Sequence, residues 1–490
     1  VAENYFKESN RSFGQFIPVK TVDRATMPAT PDVGKLLAGY QGRAVVAEGE
    51  AFDVSPTNIE QRTQRLSLAN GMRLALTPKT TRANAVAGHI VLEFGDAQSL
   101  FGHSAHADMA ADMLMLGAGK LSRADINAKL DQLKTKLDIS GKGQSVNIRF
   151  NTTRQNLPEV LTLIGEILRK PTFPASEFEQ LRTANLTQIE AGRNEPSNVG
   201  SRELEREFNQ FKKGDIRYRN SDDESVAAYK AATLNEVKHF YDSMYGANNG
   251  ALALVGDFNE KDIEAQVNKL FGNWSSHAKF VRLANPAPEP KALSRKIETA
   301  DKANAFYLAQ LPLKMQDTSP DYAALSIVEK VLGGGTESRL MARLRQKDGL
   351  SYGVGSQFSA SSFEPHANFT LYAMYAPQNL EKLKQGFQQE LDKFVRDGIS
   401  EQELNDAKKS LMQERQNARA QDAVLASAHV NNFKANRTFA RNAELDAQIE
   451  NMALDQVNAA IKKYLEPAKF LHVYAGDFAG AAKKAAATRQ

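Results

Sequence analysis

An arginine and a tyrosine seven residues apart, Arg345 and Tyr352, are the side chains best placed to do chemistry in this chain. They close the stretch Gly333 to Tyr352, GGGTESRLMARLRQKDGLSY. Leu340, Met341 and Leu344 follow helical spacing, which predicts a helix with one buried face. Asp348-Gly349 breaks it, and Leu350, Tyr352 and Val354 then alternate as a strand would. The pair therefore flanks a helix-to-strand turn, where a guanidinium and a phenol can converge. Both donate hydrogen bonds, and a carbonyl oxygen or developing oxyanion is what such donors stabilise. The competing reading of the same spacing is a solvated cation beside a half-buried ring.

The order Gly-Gly-Gly, Ser-Arg-Leu, Leu-Arg, Gly-Leu-x-Tyr resembles the C-terminal-half signature of the pitrilysin/insulysin zinc metallopeptidases, the inverzincins. The resemblance implies that Arg345 and Tyr352 reach across a chamber toward a peptide held near zinc in the other half. It also implies where a zinc site would stand. Inverzincins carry His-x-x-Glu-His on the first long helix, two imidazoles on one face and a Glu as general base. In this chain the equivalent helix reads DMAADMLMLG. Asp108 and Asp112 align with the two His, Ala111 with the base, and Gln188 in LTQIEAGRNEP falls near the third ligand. Each replacement removes a role. Two carboxylates without imidazole are a poor zinc set, Ala cannot be a base, and Gln is neutral. A weak Mg²⁺ or Ca²⁺ site at Asp108 and Asp112 competes with the blander reading of a solvated pair. His103 and His106, in HSAH, have no Glu where a zinc motif needs one, and His366 carries no motif. Gly333, Gly334 and Gly335 permit close backbone approach, either to peptide or within a tight turn. No GxxxxGK[ST] loop is present, which excludes that phosphate site.

The elements around these residues come from composition and pattern. The 490 residues are 42% hydrophobic and 24% charged, with net charge +4 and no Cys. That describes a globular chain of more than one domain, without disulfides, thiolate metal sites or a dedicated nucleic-acid surface. Apolar runs fall well short of the ~18 residues of a membrane span. RLSLANGMRLALTPK is a hairpin around Asn70-Gly71. Strands are expected at 85–94, 145–151 and 250–258, and helices at 104–116, 123–134, 157–168 and 234–241. Ser176-x-x-Glu179 reads as a capping box opening a helix to about Gly192. Residues up to Gln61 read as mostly irregular, with a strand-like SFGQFIP near the start, and Ala481 to Gln490 as a fraying tail.

The second half repeats the first. LNEV at 234–237 and VGDF at 255–258 match LDQV at 454–457 and AGDF at 475–478, both at an offset of 220. Ser176-x-x-Glu179 matches Ser400-x-x-Glu403 at 224, and GAG at 117–119 matches GGG at 333–335 at 216. The expected fold is α+β: two homologous domains, each an antiparallel-rich sheet with long helices on one face. The boundaries are 1–63 for an extension from a preceding unit, 64–282 and 294–480 for the two copies, a Pro-rich linker at 283–293, and a tail at 481–490. Tyr5-Phe6 echoes Tyr464-Leu465 at the end of a copy, which suggests a precursor continuing upstream.

Taken with the resemblance, the chain reads as the zinc-free half of a two-part metallopeptidase. It would bind no cofactor itself. The zinc-bearing half, a separate subunit or the upstream part of one precursor, would supply metal and base. The two would close over peptide substrates, in the periplasm by analogy with bacterial members. An inert structural subunit of the same fold is the alternative. A stand-alone enzyme using Asp108, Asp112, His103 and His106 is a third reading.

Overall fold

The computed structural model describes residues 7–15 and 48–487. Contacts divide the chain into a unit of residues 1–46 and a unit of residues 47–490. In the first, Glu8–Asn10 form a single 3₁₀ turn and residues 11–15 are irregular, so the strand expected there is not formed over them. Tyr5-Phe6 and the end of SFGQFIP lie outside the described residues.

The second unit holds two sheets. The first contains β1 (Gln64–Ser67), β2 (Arg73–Pro78) and β3 (Ala85–Glu93). A two-residue ribbon, β4 (Gly117–Ala118) with β5 (Leu121–Ser122), stands apart. The first sheet is completed by β6 (Lys136–Lys142), β7 (Ser145–Thr153) and β8 (Gly250–Gly256), in the order β1-β2-β8-β3-β7-β6. The second contains β9 (Leu293–Glu298), β10 (Ala305–Leu313), β11 (Ser351–Ala360), β12 (Ala367–Tyr375) and β13 (Leu471–Gly476), in the order β11-β12-β10-β13-β9. Each sheet is antiparallel but for one parallel pair, β2 with β8 and β13 with β9. Four helices matter for the candidate site and for the junction of the two sheets: α1 (Ser104–Met113) and α3 (Tyr322–Leu332), each packed within its own half, and α2 (Pro196–Glu207) and α4 (Asp422–Lys434), which cross to the other half's sheet.

Alternation along the strands sends one row of side chains to each face. Leu74, Leu76, Ile90, Leu92, Leu252 and Leu254 point into a core shared with α1 and other helices of the first copy. Ala75, Val91, Ala251, Ala253 and Val255 point the other way and are covered by Leu425, Ala426 and Val430 of α4, a helix of the second copy. The small alanines let that helix approach, and burying each large apolar side chain there contributes about 1.5–3 kcal/mol. The exchange is mutual. Leu204 of α2, from the first copy, packs on Leu471 and Val473 of the second sheet. Ion pairs fix both helices: Lys434 to Glu93 at 3.1 Å, and Arg295 to Glu207 at 2.7 Å. Helices therefore cover both faces of each sheet in part, where the pattern predicts one covered face.

Three local expectations also change. Residues before Gln64 are not all irregular: Pro56–Arg62 is a helix, capped by the Ser55 side chain and started by Pro56. Of the two repeated Ser-x-x-Glu motifs, only the second forms its capping box. Ser400 and Glu403 bond reciprocally, whereas the earlier helix starts at Ala175, placing Ser176 inside the first turn, and Glu179 pairs with Arg182 instead. The tail does not fray at Ala481, because Phe478–Ala487 is a helix.

Candidate functional site

The segment carrying Arg345 departs from the α-helix its periodicity predicts. Met341–Lys347 is π-helical, and the Asp348 N–H donates to the Arg343 carbonyl at 3.0 Å. Such widened turns insert an extra residue and recur at functional sites. Leu340 and Leu344 anchor it in the core. Arg339 is tied to Glu403 at 2.6 Å and Arg343 to Asp348 at 2.7 Å. Arg345 is different: it is exposed, meets Met341 Sδ at 3.9 Å, and has no ion pair among the described residues. Gly349 then turns the chain with φ of +62°, and β11 begins with a bulge. Ser351 pairs with Tyr375 and Gly353 with Met374, so Tyr352 has no opposite residue and is 64% exposed. The expected alternation of Leu350, Tyr352 and Val354 fails for that reason: the outer two are buried and Tyr352 is turned out.

The three glycines divide. A Cβ on Gly333 would lie 2.2 Å from the Ser356 nitrogen, where the strand closes on the end of α3, and Ser356 N–H donates to the Gly333 carbonyl. A Cβ on Gly334 would lie 2.8 Å from the Lys330 Cα. Gly335 is exposed, with Lys330 Nζ the nearest atom at 3.8 Å. Beside them sits Glu329, which no sequence signal marks. Burial pushes its carboxyl up to about 7, against the pull of neighbouring Lys330.

On α1 stand the positions that the resemblance aligns with metal ligands. Burial, with the charge of Asp112, pushes the Asp108 carboxyl up to about 6, although Tyr229 donates to it at 3.5 Å. Desolvation raises Asp112 too, although its side chain reaches solvent. Ala111 is buried against Gly141 of β6. Gln188 is exposed on the helix Ala175–Gly192. His103 Nδ1 and His106 Nδ1 lie 3.1 Å apart, while Glu236 sits 3.7 Å from the opposite nitrogen of His106. No single metal position takes all three. Zinc does not fit these positions: the residues that the resemblance aligns with its ligands offer no imidazole, and no cluster of three ligating side chains occurs among the described residues.

Between α1, α2 and the second sheet lies a cavity of about 670 Å³. Asp108 and Lys142 line one side, Gln310, His366 and Asn368 the other. Sequence motifs miss the last three. Their signal is weak but present: Asn368 and Gln310 are polar residues in otherwise apolar strands. No helix of the described residues is long and apolar enough to cross a membrane.

Residues 231–411 match the family described as the peptidase M16 inactive domain. The match encloses Gly333, Arg345 and Tyr352 and leaves out Asp108, Ala111, Asp112 and Gln188. The non-peptidase homolog YmxG of Helicobacter pylori is 22% identical over 384 residues, covering 77% of this chain and 86% of the relative. A peptidase M16 inactive domain from Pseudomonas fluorescens has the same fold, with a TM-score of 0.72 at 24% identity over 84% of this chain and 98% of that one. The periplasmic protease PqqL from Escherichia coli superposes with a TM-score of 0.69 at 16% identity, over 95% of this chain but 49% of its own. The two-sheet fold is thus that of the solved M16 structures, and residues 231–411, which hold the Arg345–Tyr352 turn, are similar to the peptidase M16 inactive domain.

Proposed function

We propose that this chain is the zinc-free half of a two-part M16 peptidase. The observation that carries the reading is the state of Arg345 and Tyr352. A π-helical turn and a β-bulge hold both outward, and no carboxylate of the described chain neutralises the guanidinium. Groups so placed are available to a substrate carbonyl. The partner half supplies zinc and the general base; this chain supplies two hydrogen-bond donors and part of a chamber wall. Closure of the halves then gates turnover. That PqqL is about twice the length this chain covers supports a second half of similar size, and that PqqL is a periplasmic protease supports the same compartment here.

The second reading is an inert subunit of the same fold. The naming of the Helicobacter relative as a non-peptidase homolog favours it. Hydrolysis of a quenched unstructured peptide separates the two. The expected result is no turnover by the chain alone, turnover when a zinc-bearing half is added, and a loss of about 10²–10³ in kcat for Tyr352→Phe, the cost of one oxyanion donor. A stable complex of the halves without turnover would establish the inert subunit. Turnover by the isolated chain would overturn both.

A further inference from the structure

The outward face of the second sheet is only partly covered. Helix α2 lies over β10 and β13, and on β12 next to them the outward row is half-buried to exposed. Along β12, Phe369, Leu371, Ala373 and Tyr375 are buried, while Tyr372 and Met374 face out, 39% and 44% exposed. Asn368 and Thr370 continue the same row. At one end of the row Met374 stands opposite Gly353, beside Tyr352. At the other, Asn368 opens into the 670 Å³ cavity, within the size range of ligand pockets. Six strand residues separate the ends, roughly 20 Å. The Tyr372 ring lies across Gly355, where an added Cβ would come within 2.6 Å of its hydroxyl.

The cavity end has a defined polarity. His366 Nδ1 faces the Asn285 carbonyl at 2.7 Å and must donate to it, so its Nε2 accepts from Asn368 Nδ2 at 3.3 Å. Asn368 Oδ1 then accepts from Gln310 Nε2 at 2.6 Å. This relay leaves Gln310 Oε1 as an acceptor with no protein donor among the described residues. The charges around the cavity offset one another, Asp108 and Glu205 against Lys142 and Arg219, with Arg217 already paired to Asp215. Such a wall selects neither a strong anion nor a strong cation. It suits neutral amide groups, and the open strand face suits bulky apolar side chains.

We propose that this chain by itself holds an extended polypeptide segment along the outward face of β12. A large apolar side chain rests on Tyr372 and Met374, and a main-chain N–H is received by Gln310 Oε1 in the cavity. A segment of about seven residues then connects the cavity with Tyr352. The proposal rests on the peptide-handling reading of this fold but needs neither partner nor zinc. Fluorescence anisotropy of a labelled, unstructured, uncharged twelve-residue peptide containing Phe tests it with the chain alone. Saturable binding is expected, little changed between low and high salt. A four-residue version should bind at least tenfold more weakly. Met374→Lys, an exposed substitution that leaves the core intact, and Gln310→Leu should each weaken the long peptide at least tenfold, with thermal melting confirming that each variant folds. No binding, binding indifferent to both substitutions, equal affinity for the short peptide or collapse of affinity with salt would each overturn it. Failure of the split-peptidase reading shows up separately, as absent hydrolysis with peptide binding intact.

Discussion

Helix α1 and the turn carrying Arg345 are the two places to which the family resemblance assigns chemistry, and the fold packs them in opposite ways. On α1 the space of a general base is closed. Ala111 is 1% exposed, and the gap to β6 is so narrow that a Cβ on Gly141 would lie 2.4 Å from the Ala111 Cβ. At the turn, a π-helical segment and a bulge, both locally less regular than the alternatives, keep two polar side chains in solvent. A position without a role is packed like any core position. Under the proposed function, a position that meets an outside group stays open at the expense of regular hydrogen bonding. The largest test of this contrast is Ala111→Glu. A charge forced into that gap without a partner should cost about 3–5 kcal/mol of stability, read as a lower urea midpoint at pH 7. An unchanged midpoint would mean the base could be restored by one substitution, and the contrast would collapse.

The two exchanged helices differ in a similar way. Where α2 meets the second sheet, ion pairs dominate, and the Arg295 guanidinium holds the Glu207 carboxyl below its usual range. Where α4 meets the first sheet, ion pairs such as Lys434 to Glu93 stand beside buried neutral histidines. His429, beside Thr77 at 3.0 Å, is pushed down to about 3 by burial, and His89 on β3 to about 4. A histidine lowered on folding is neutral in the native state while the unfolded chain gains a proton below about 6.5. Its contribution is therefore complete above pH 6.5 and is lost as pH falls toward 3 or 4. At roughly 1.4 kcal/mol per unit, the two sites should remove about 3 kcal/mol or more by pH 4.5. Thermal melting at pH 7.0, 5.5 and 4.5 should show this fall, and His429→Leu should make it shallower. A melting temperature flat over that range would place the histidines in contact with water.

The glycines sharpen the comparison at the open site. Gly333→Ala drives a Cβ into the Ser356 backbone and should cost about 2 kcal/mol by overpacking. Gly335→Ala meets nothing within 3.8 Å and should leave stability within about 0.5 kcal/mol. Denaturant midpoints of the two variants distinguish a packing glycine from one free to face a ligand. Equal losses would mean that the whole loop is structural.

Strand and helix positions were legible wherever alternation or helical spacing was strong, as at Ala85–Glu93, Ser145–Thr153 and Leu157–Arg169. The strand Lys136–Lys142 was not, because on a sheet edge every second residue is exposed and the rest are only half-buried. The exchange of α2 and α4 was invisible for a related reason. Each presents one apolar face, and a sequence does not say whose sheet that face will meet. Gly-rich register and the family resemblance located Arg345 and Tyr352, but periodicity alone made the turn α-helical and aligned Tyr352 with two buried neighbours. One inserted residue in the helix and one in the strand changed both conclusions, and neither leaves a mark in the pattern of apolar residues. The relay from Gln310 to His366 joins β10, β12 and the linker, residues up to 81 positions apart. Only the register of the second sheet brings them together.

The smallest expected effect bears on the cost of a buried carboxylate. Asp108 carries a carboxyl raised to about 6 on folding, the opposite sign to the histidines. The unfolded chain releases that proton near 3.8, the native state near 6, so the group is neutral to stability below about 3.8, opposes folding increasingly between 3.8 and 6, and exerts its full cost above 6. Removing the charge should therefore stabilise the protein at neutral pH. After discounting for solvent near the cavity and for the lost Tyr229 bond, Asp108→Asn should gain about 1 kcal/mol at pH 7 and nothing at pH 4. Urea unfolding at both pH values measures it. A gain at pH 7 alone identifies a buried charge the protein carries without using for stability, at the position that the resemblance aligns with an inverzincin metal ligand. A loss at pH 7 would mean the carboxylate still has a partner, with Lys142 across the cavity the first candidate to substitute.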